Sequence, residues 1–416
     1  MDLHSGAPFW LVRNGLDAEL APLEKHERCD VAIVGAGVTG ALVADALIRA
    51  GLDVVLVDQH MPGLGSTAAS TALLQYEIDV ELHDLIERAG ESSAARAYQL
   101  SVESISDLER LAAGLPGDCG FARRESLYLA SRPAHVRRLV READVRRAHG
   151  IRAEWWDARR VEVTYGLPSS GAIWSADAAE VDALRLTRHV LGRARRGGLR
   201  LYARTTVTAC EAKRHGATIT SDRGETVRAR WVIFATGYEL PPMVSRTLVR
   251  LHSTYALVTE PIPPQRLAEM RWRGECLVWE SARPYFYMRM TDDRRIIAGG
   301  EDVPFKDAAA RDVLIPERTG RLMRRLRSMV PAAGAELAFS WAGTFAETSD
   351  GLPYIGTVPG HPPILVALGY GGNGITFSML AARLLAAHCA PESEAGLERD
   401  SASFGLGRPA ARHGKH

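Results

Sequence analysis

Lysine is nearly missing from this chain. Of 51 Lys and Arg residues among 416, only Lys25, Lys213, Lys306 and Lys415 are lysine. Chemistry that needs a titratable amine has few places to stand, because a guanidinium stays charged. An excess of one charge is missing too. The 51 cations meet 50 acids for a net charge of +1, so no overall field draws nucleic acid or an acidic membrane. The Arg-rich run near 137–147 reads as a solvated helix face. Cysteine is sparse: the five stand at 29, 119, 210, 276 and 389 with no CxxC, which argues against a disulfide framework or zinc ribbon. The 13 histidines form no HxH or HExxH cluster, so no metal site is expected. No apolar run reaches the roughly 18 residues needed to span a bilayer. The opening MDLHSGAPFWLVRNG lacks the basic-then-apolar order of a secretory leader, and a cytoplasmic protein is expected. With 46% hydrophobic and 24% charged residues the balance is globular, and the length suits two or three domains.

Against these absences, residues 29–58 read as strand, Gly-rich turn, helix and strand. CDVAIVG and DVVLVD are continuous apolar runs of the kind buried in a parallel sheet. Between them stands Gly35-Ala36-Gly37-Val38-Thr39-Gly40, opening a helix. In such a turn the first Gly permits the tight bend, the second admits a pyrophosphate, and the third lets helix and strand approach. The helix N-terminus favours the anion. Asp58 ends the second strand, with Gln59 next, where an acid accepts ribose hydroxyls. A dinucleotide site follows, the alternative being a Gly-rich structural turn. A second run, ending Ala235-Thr236-Gly237, caps a later buried strand. A third, Gly65-Ser66-Thr67-Ala68-Ala69-Ser70-Thr71, offers hydroxyls either to a cofactor or as helix caps. A fourth joins DGLPYIG at 350–356 to Gly371, Gly372, Asn373, Gly374, Ile375 and Thr376, which open the last helix. Its free amides suit developing negative charge.

These four motifs in this order resemble the D-amino-acid oxidase superfamily, and the branch holding gamma-glutamylputrescine oxidase and glycine oxidase in particular. The resemblance spans about residues 28–390. It implies FAD and an α/β plus α+β fold. A discontinuous Rossmann-like FAD-binding domain would take 28–115, 176–245 and 340–390. A substrate domain built on an antiparallel β-sheet would take 116–175 and 246–339. An arm (1–27) and a flexible tail (391–416) complete the expected layout. By family position the backbone of Val207 joins the cofactor residues.

The resemblance also locates differences. Glycine oxidases carry a carboxylate-binding Arg where Phe345 stands here, and Arg289 is either a substitute clamp or the partner of an acid. Ile297 occupies the position of sarcosine oxidase's oxygen-assisting lysine, and Lys306 is the nearby lysine. The acceptor is therefore O2, or a quinone or carrier. Gly343 and the 65–71 segment replace the Cys or His of covalent members, so FAD is expected to be non-covalent. Tyr255, Tyr285 and Tyr287 face either the substrate pocket or the core. Glu301 faces either an amine or a pairing Arg. The expected activity is dehydrogenation of an amine or amino-acid C–N bond by hydride transfer to flavin N5, the imine then hydrolysing. A flavin dehydrogenase of a 2-hydroxy acid and a non-catalytic FAD-binding protein are the alternatives. No catalytic residue is named.

Overall fold

The computed structural model describes residues 2–17, 19–390 and 397–408. Two sheets organise it. The smaller runs Tyr354–Val358, His361–Leu368, Thr226–Gly237, Glu27–Val34, Val54–Val57 and Arg200–Tyr202. These pairs are parallel from His361–Leu368 onward, while Tyr354–Val358 is antiparallel to its neighbour, and the antiparallel strands Gly216–Ser221 and Val207–Lys213 join through Thr226–Gly237. The apolar runs of the sequence form this core, and Val31, Ile33, Val55, Val57, Ile233 and Val366 are all fully buried. Both faces must therefore be covered. Helices Val38–Arg49 and Gly374–Cys389 pack on one another, with Ala183–Arg196 against the first and Glu91–Ala113 against the second.

The larger sheet is mainly antiparallel and ten-stranded. Its order is His4–Gly6, Leu337–Thr348, Val249–Thr259, Ile296–Pro304, Phe286–Met290, Cys276–Glu280, Ala122–Leu129, Gly171–Glu180 and Leu73–Leu74, with Ala153–Asp157 beside Gly171–Glu180. This layout corrects the expected borders. The cuts at 175/176 and 339/340 fall inside the single strands Gly171–Glu180 and Leu337–Thr348; the ladder with Val249–Thr259 is continuous through 339/340, and at 175/176 the pairing with Ala122–Leu129 slips at a bulge and resumes. The arm supplies an edge strand, with Ser5 opposite Ala342.

The expected flexible tail is also corrected for its described part. Residues 397–408 carry the helix Leu397–Ala402, the fully buried Phe404, and Arg408, which grips Asp350 at 2.7 and 2.8 Å. One aromatic plug and one guanidinium fork anchor a segment whose composition reads as loose. The rest of that tail, 391–396 and 409–416, lies outside the described residues. No helix among the described residues is long and apolar enough to cross a membrane.

Candidate functional site

Gly35 turns the chain after Glu27–Val34 with φ +106°, where a Cβ would stand 2.5 Å from the carbonyl oxygen of Ala235. A Cβ on Gly40 would stand 1.8 Å from the Gly35 carbonyl oxygen, so the first turn of the helix sits directly on the bend. Only glycine fits either position. The Val38 amide donates to Thr67 Oγ1 at 2.9 Å, so the hydroxyl-rich third motif does cap this helix. Asp58 accepts the amide of Ala36 at 2.6 Å and that of His60 at 2.7 Å. Burial pushes its carboxyl above the ordinary value, against the pull of the two amides.

These elements border one cavity of about 1050 Å³. Its wall takes in Gly35, Gly37, Val38, Thr39, Asp58 and Gln59, then Gly65, Ser66, Thr67, Ser70 and Thr71. Val207, Ala235, Thr236 and Gly237 join them, as do Gly371, Gly372, Asn373, Gly374 and Ile375. Ala36, Gly40 and Thr376 lie behind the wall. Ala36 holds Asp58, Gly40 seats the helix, and the Thr376 hydroxyl donates to the Gln75 carbonyl at 3.0 Å. That last bond is one of three that tie 75–79 to the start of the helix Gly374–Cys389. The Asn373 side chain donates to the Glu77 carbonyl, and the Gly372 amide donates to Asp79 Oδ2 at 2.8 Å.

The larger sheet closes the opposite side through five consecutive strands. They present Phe345 and Glu347, then Thr254, Asp302, Tyr287 and Trp279. Tyr238, Tyr285 and Asp79 add to this end. Burial first, then the nearby Glu347 carboxylate, raises Asp79 to about 6 against the Gly372 amide. Burial, Asp79 and Glu347 raise Asp302 to about 7, despite the Thr254 hydroxyl. Among the described residues no Arg or Lys lies on the wall.

Of the five pocket candidates, Tyr287 and Phe345 are on the wall, and three are not. Arg289 is buried under the arm, paired with Glu180 at 3.1 Å and stacked on Trp10 at 5.3 Å, so it is no clamp. Tyr255 points into the core and donates to the Arg311 carbonyl at 3.2 Å. Glu301 meets Arg318 at 2.8 Å and Arg321 at 3.5 Å. Alternation along Ile296–Pro304 puts Glu301 on the face of Ile297 and Gly299. The ladder instead slips between Ser253 and Tyr255, with Gly300 at φ +131° and Glu301 at φ +58°. This bulge turns Glu301 outward and presents Asp302, which alternation alone misses. The Gly299-Gly300 pair is the signal that marks it in the sequence. Glu347 needed only the period of two from Phe345. Asp79 has no such signal, since it reaches the cavity through the loop ties above.

The arm builds part of the wall with Leu3, His4 and Leu11. His4 Nε2 lies 2.8 Å from the Leu64 carbonyl oxygen, and the Trp10 indole donates to the Ser70 carbonyl at 2.6 Å.

The family model described as DAO, FAD dependent oxidoreductase, matches residues 30–388. Gamma-glutamylputrescine oxidoreductase of Escherichia coli (strain K12) is 26% identical over 374 residues, covering 88% of this chain and 84% of that protein. Glycine oxidase of Geobacillus kaustophilus (strain HTA426) is 26% identical over 378 residues, covering 86% of this chain and 92% of that protein. The crystal structure of glycine oxidase from Geobacillus kaustophilus superposes with a TM-score of 0.74 at 23% identity, covering 92% of this chain and 99% of that one. L-proline dehydrogenase from P. horikoshii gives 0.71 at 17% identity, covering 89% and 95%. The cavity fits FAD on its own evidence. Its glycine-rich end leaves backbone exposed beside an acid placed for ribose. Ser66 Oγ and Gln75 Nε2 are buried on the wall without hydrogen-bond partners.

Proposed function

The chain belongs to the DAO family of FAD dependent oxidoreductases, and from that premise we propose that it dehydrogenates the C–N bond of an amine. FAD, when bound, supplies the acceptor for the hydride. Gly35, Gly37 and the start of the helix Val38–Arg49 would hold its diphosphate, Asp58 its ribose, and Gln75 and residues 371–375 its ring edge. The cofactor is read as non-covalent, since among the described residues no Cys lines the wall and Gly343 and the 65–71 segment stand where covalent relatives attach it.

The chain's own work is done at the sheet side. An ammonium entering the chamber meets carboxylates and aromatic faces, and among the described residues no Arg or Lys on the wall. Asp302 Oδ1 is sealed from water and has no hydrogen-bond partner, so it is the atom assigned to take the ammonium proton. Loss of that proton frees the nitrogen lone pair. The carbon-bound hydrogen then leaves with its electron pair, and the lone pair forms the C=N bond. Water later adds to the imine, giving a carbonyl compound and releasing the nitrogen as ammonia or amine. Trp279, Tyr285, Tyr287 and Phe345 hold the carbon chain and exclude water during the step.

One observation carries this reading: a single cavity joins the dinucleotide elements to an acidic, aromatic chamber free of Arg and Lys. A 2-hydroxy acid or an α-amino acid brings a carboxylate that such a wall repels. Anaerobic mixing of the yellow holoenzyme with amines, amino acids and hydroxy acids tests it. Amines are expected to bleach the flavin. Bleaching by hydroxy acids alone, or by nothing, would sink the proposal.

A further inference from the structure

We propose that Asp79, Asp302 and Glu347 form a two-point cation site that selects an amine carrying a second ammonium group, a diamine or polyamine, over a monoamine of the same length. The inference rests on the amine reading above and goes on to say which amines.

One ammonium needs one carboxylate. The chamber offers three, and they interact: Glu347 pushes Asp79 up, and Asp79 and Glu347 both push Asp302 up. Of the other wall acids, Asp58 accepts two amides, Glu239 pairs with Gln59 at 2.9 Å, and Asp2 lies 3.6 Å from Arg311. Glu77 accepts the Ser126 hydroxyl at 2.7 Å on one oxygen, its other oxygen has no hydrogen-bond partner, and its charge is met by Arg146 at 3.9 Å. Asp79 has one backbone amide, and Glu347 faces His252 at 3.4 Å. Asp302 Oδ1 has no partner at all, although it is buried and on the wall. A sealed, unpartnered carboxylate oxygen costs free energy unless something positive meets it. Arg283 pulls Asp79 and Asp302 down from a distance, but it stacks on Tyr285 at 4.6 Å, is exposed and does not line the wall.

The division of labour follows from position. Asp302 stands beside Tyr287 and Thr254 on the sheet and takes the ammonium whose carbon is oxidised. Asp79 and Glu347 hold the second ammonium, which stays charged. Tyr238, Tyr285 and Trp279 supply faces for the methylene chain and the charge. The site imposes no demand for an anionic group, which separates it from a carboxylate clamp.

The test compares 1,4-diaminobutane with 1-aminopentane, near-equal in length and different in charge, by kcat/KM and by the amine concentration that perturbs the flavin bands anaerobically. The diamine is expected to be favoured about tenfold or more, the size of one modest charge contact. Glu347→Gln and Asp79→Asn are expected to shrink that ratio through the KM of the diamine. Flavin absorbance and melting temperature establish that each variant is folded. Equal or better use of the monoamine by the unmodified enzyme overturns the inference and leaves amine oxidation standing. A ratio that survives in both folded variants overturns it as well. Failure of both amines to bleach the flavin, while another substrate class does so, brings down the amine reading itself.

Discussion

Asp302 carries a pH dependence whose sign is fixed by its burial. Its carboxyl rises from an ordinary 3.8 to about 7 in the folded chain, so the native state holds the proton more tightly than the unfolded one. The associated stabilisation is complete below about pH 4 and is lost as pH rises through 7. Asp302→Asn is therefore expected to melt higher than the parent at pH 8, with the gap closing toward pH 4. A scan of melting temperature against pH checks this. The amine profile should move with it. KM is expected to climb as pH falls below about 7, because Asp302 and then Asp79, at about 6, become neutral and stop attracting the ammonium. The groups facing Asp302 are Thr254, Tyr287, Asp79 and Glu347, with Arg283 farther out. An identical pH profile in Asp302→Asn would remove that residue from the mechanism. Arg289 serves as the contrast. Burial drives its pKa down while Glu180 pulls it back up. Arg289→Met takes one of two guanidinium partners from the buried Glu180 and leaves Arg124 at 2.7 Å, a change that costs about 1–3 kcal/mol. The expected result is a clear drop in melting temperature with amine KM within about twofold of the parent. A large rise in KM without loss of stability would restore Arg289 as a ligand.

Among the elements, the helix Val136–Ala148 holds the densest buried charge. Arg146 is fully buried, bonded to Glu142 at 2.7 Å and within 6.0 Å of the rings of Tyr76, Tyr98 and Tyr128. Burial alone would raise Glu142, yet Arg146, His83 and the Leu82 and His83 amides outweigh it and hold it at about 2. Arg146→Ala is expected to cost about 3 kcal/mol in chemical denaturation, since it takes the guanidinium from the buried Glu142 and leaves that carboxylate to His83 and two amides. Stability within about 1 kcal/mol of the parent would show the network to be dispensable. The sequence presents this helix as a solvated Arg-rich face, and Arg137, Arg141 and Arg147 fit that description. Arg146 does not, because one residue of register turns it inward, and composition is blind to register. The same limit explains the strand Ile296–Pro304. Its apolar first half is readable, whereas the bulge that swaps Glu301 for Asp302 depends on backbone angles at Gly300 and Glu301. The strand-turn-helix of residues 27–49 was the most legible part, since each glycine there answers a local steric demand. Gly35→Ala would meet both a φ of +106° and the Ala235 carbonyl at 2.5 Å. The variant is expected to be purified colourless, and normal flavin content would contradict the role given to that turn.

For the molecule as a whole, the arm is as much part of the site as the glycine turn. Trp10 is 1% exposed and Ser5 pairs with Ala342. Removing residues 2–14 deletes Leu3, His4 and Leu11 from the wall and uncovers Trp341. Loss of flavin is expected, together with a lower melting temperature that added FAD recovers only in part. A truncated chain that keeps its flavin and its stability would reduce the arm to ornament. The arm's docking was legible only as an overlay, because its six-residue helix Phe9–Asn14 is too short to show a period and its partners lie about 60 to 340 residues away.

That separation along the chain has an outcome in time. The chamber's wall draws on Asp2 at one extreme and Ser378 at the other, with pieces from many stages between. During translation nothing can therefore close around the dinucleotide until nearly the entire polypeptide has left the ribosome. Capture of FAD becomes the event that seals a finished chain, and a copy truncated before the helix Gly374–Cys389 should remain pale and open to proteases.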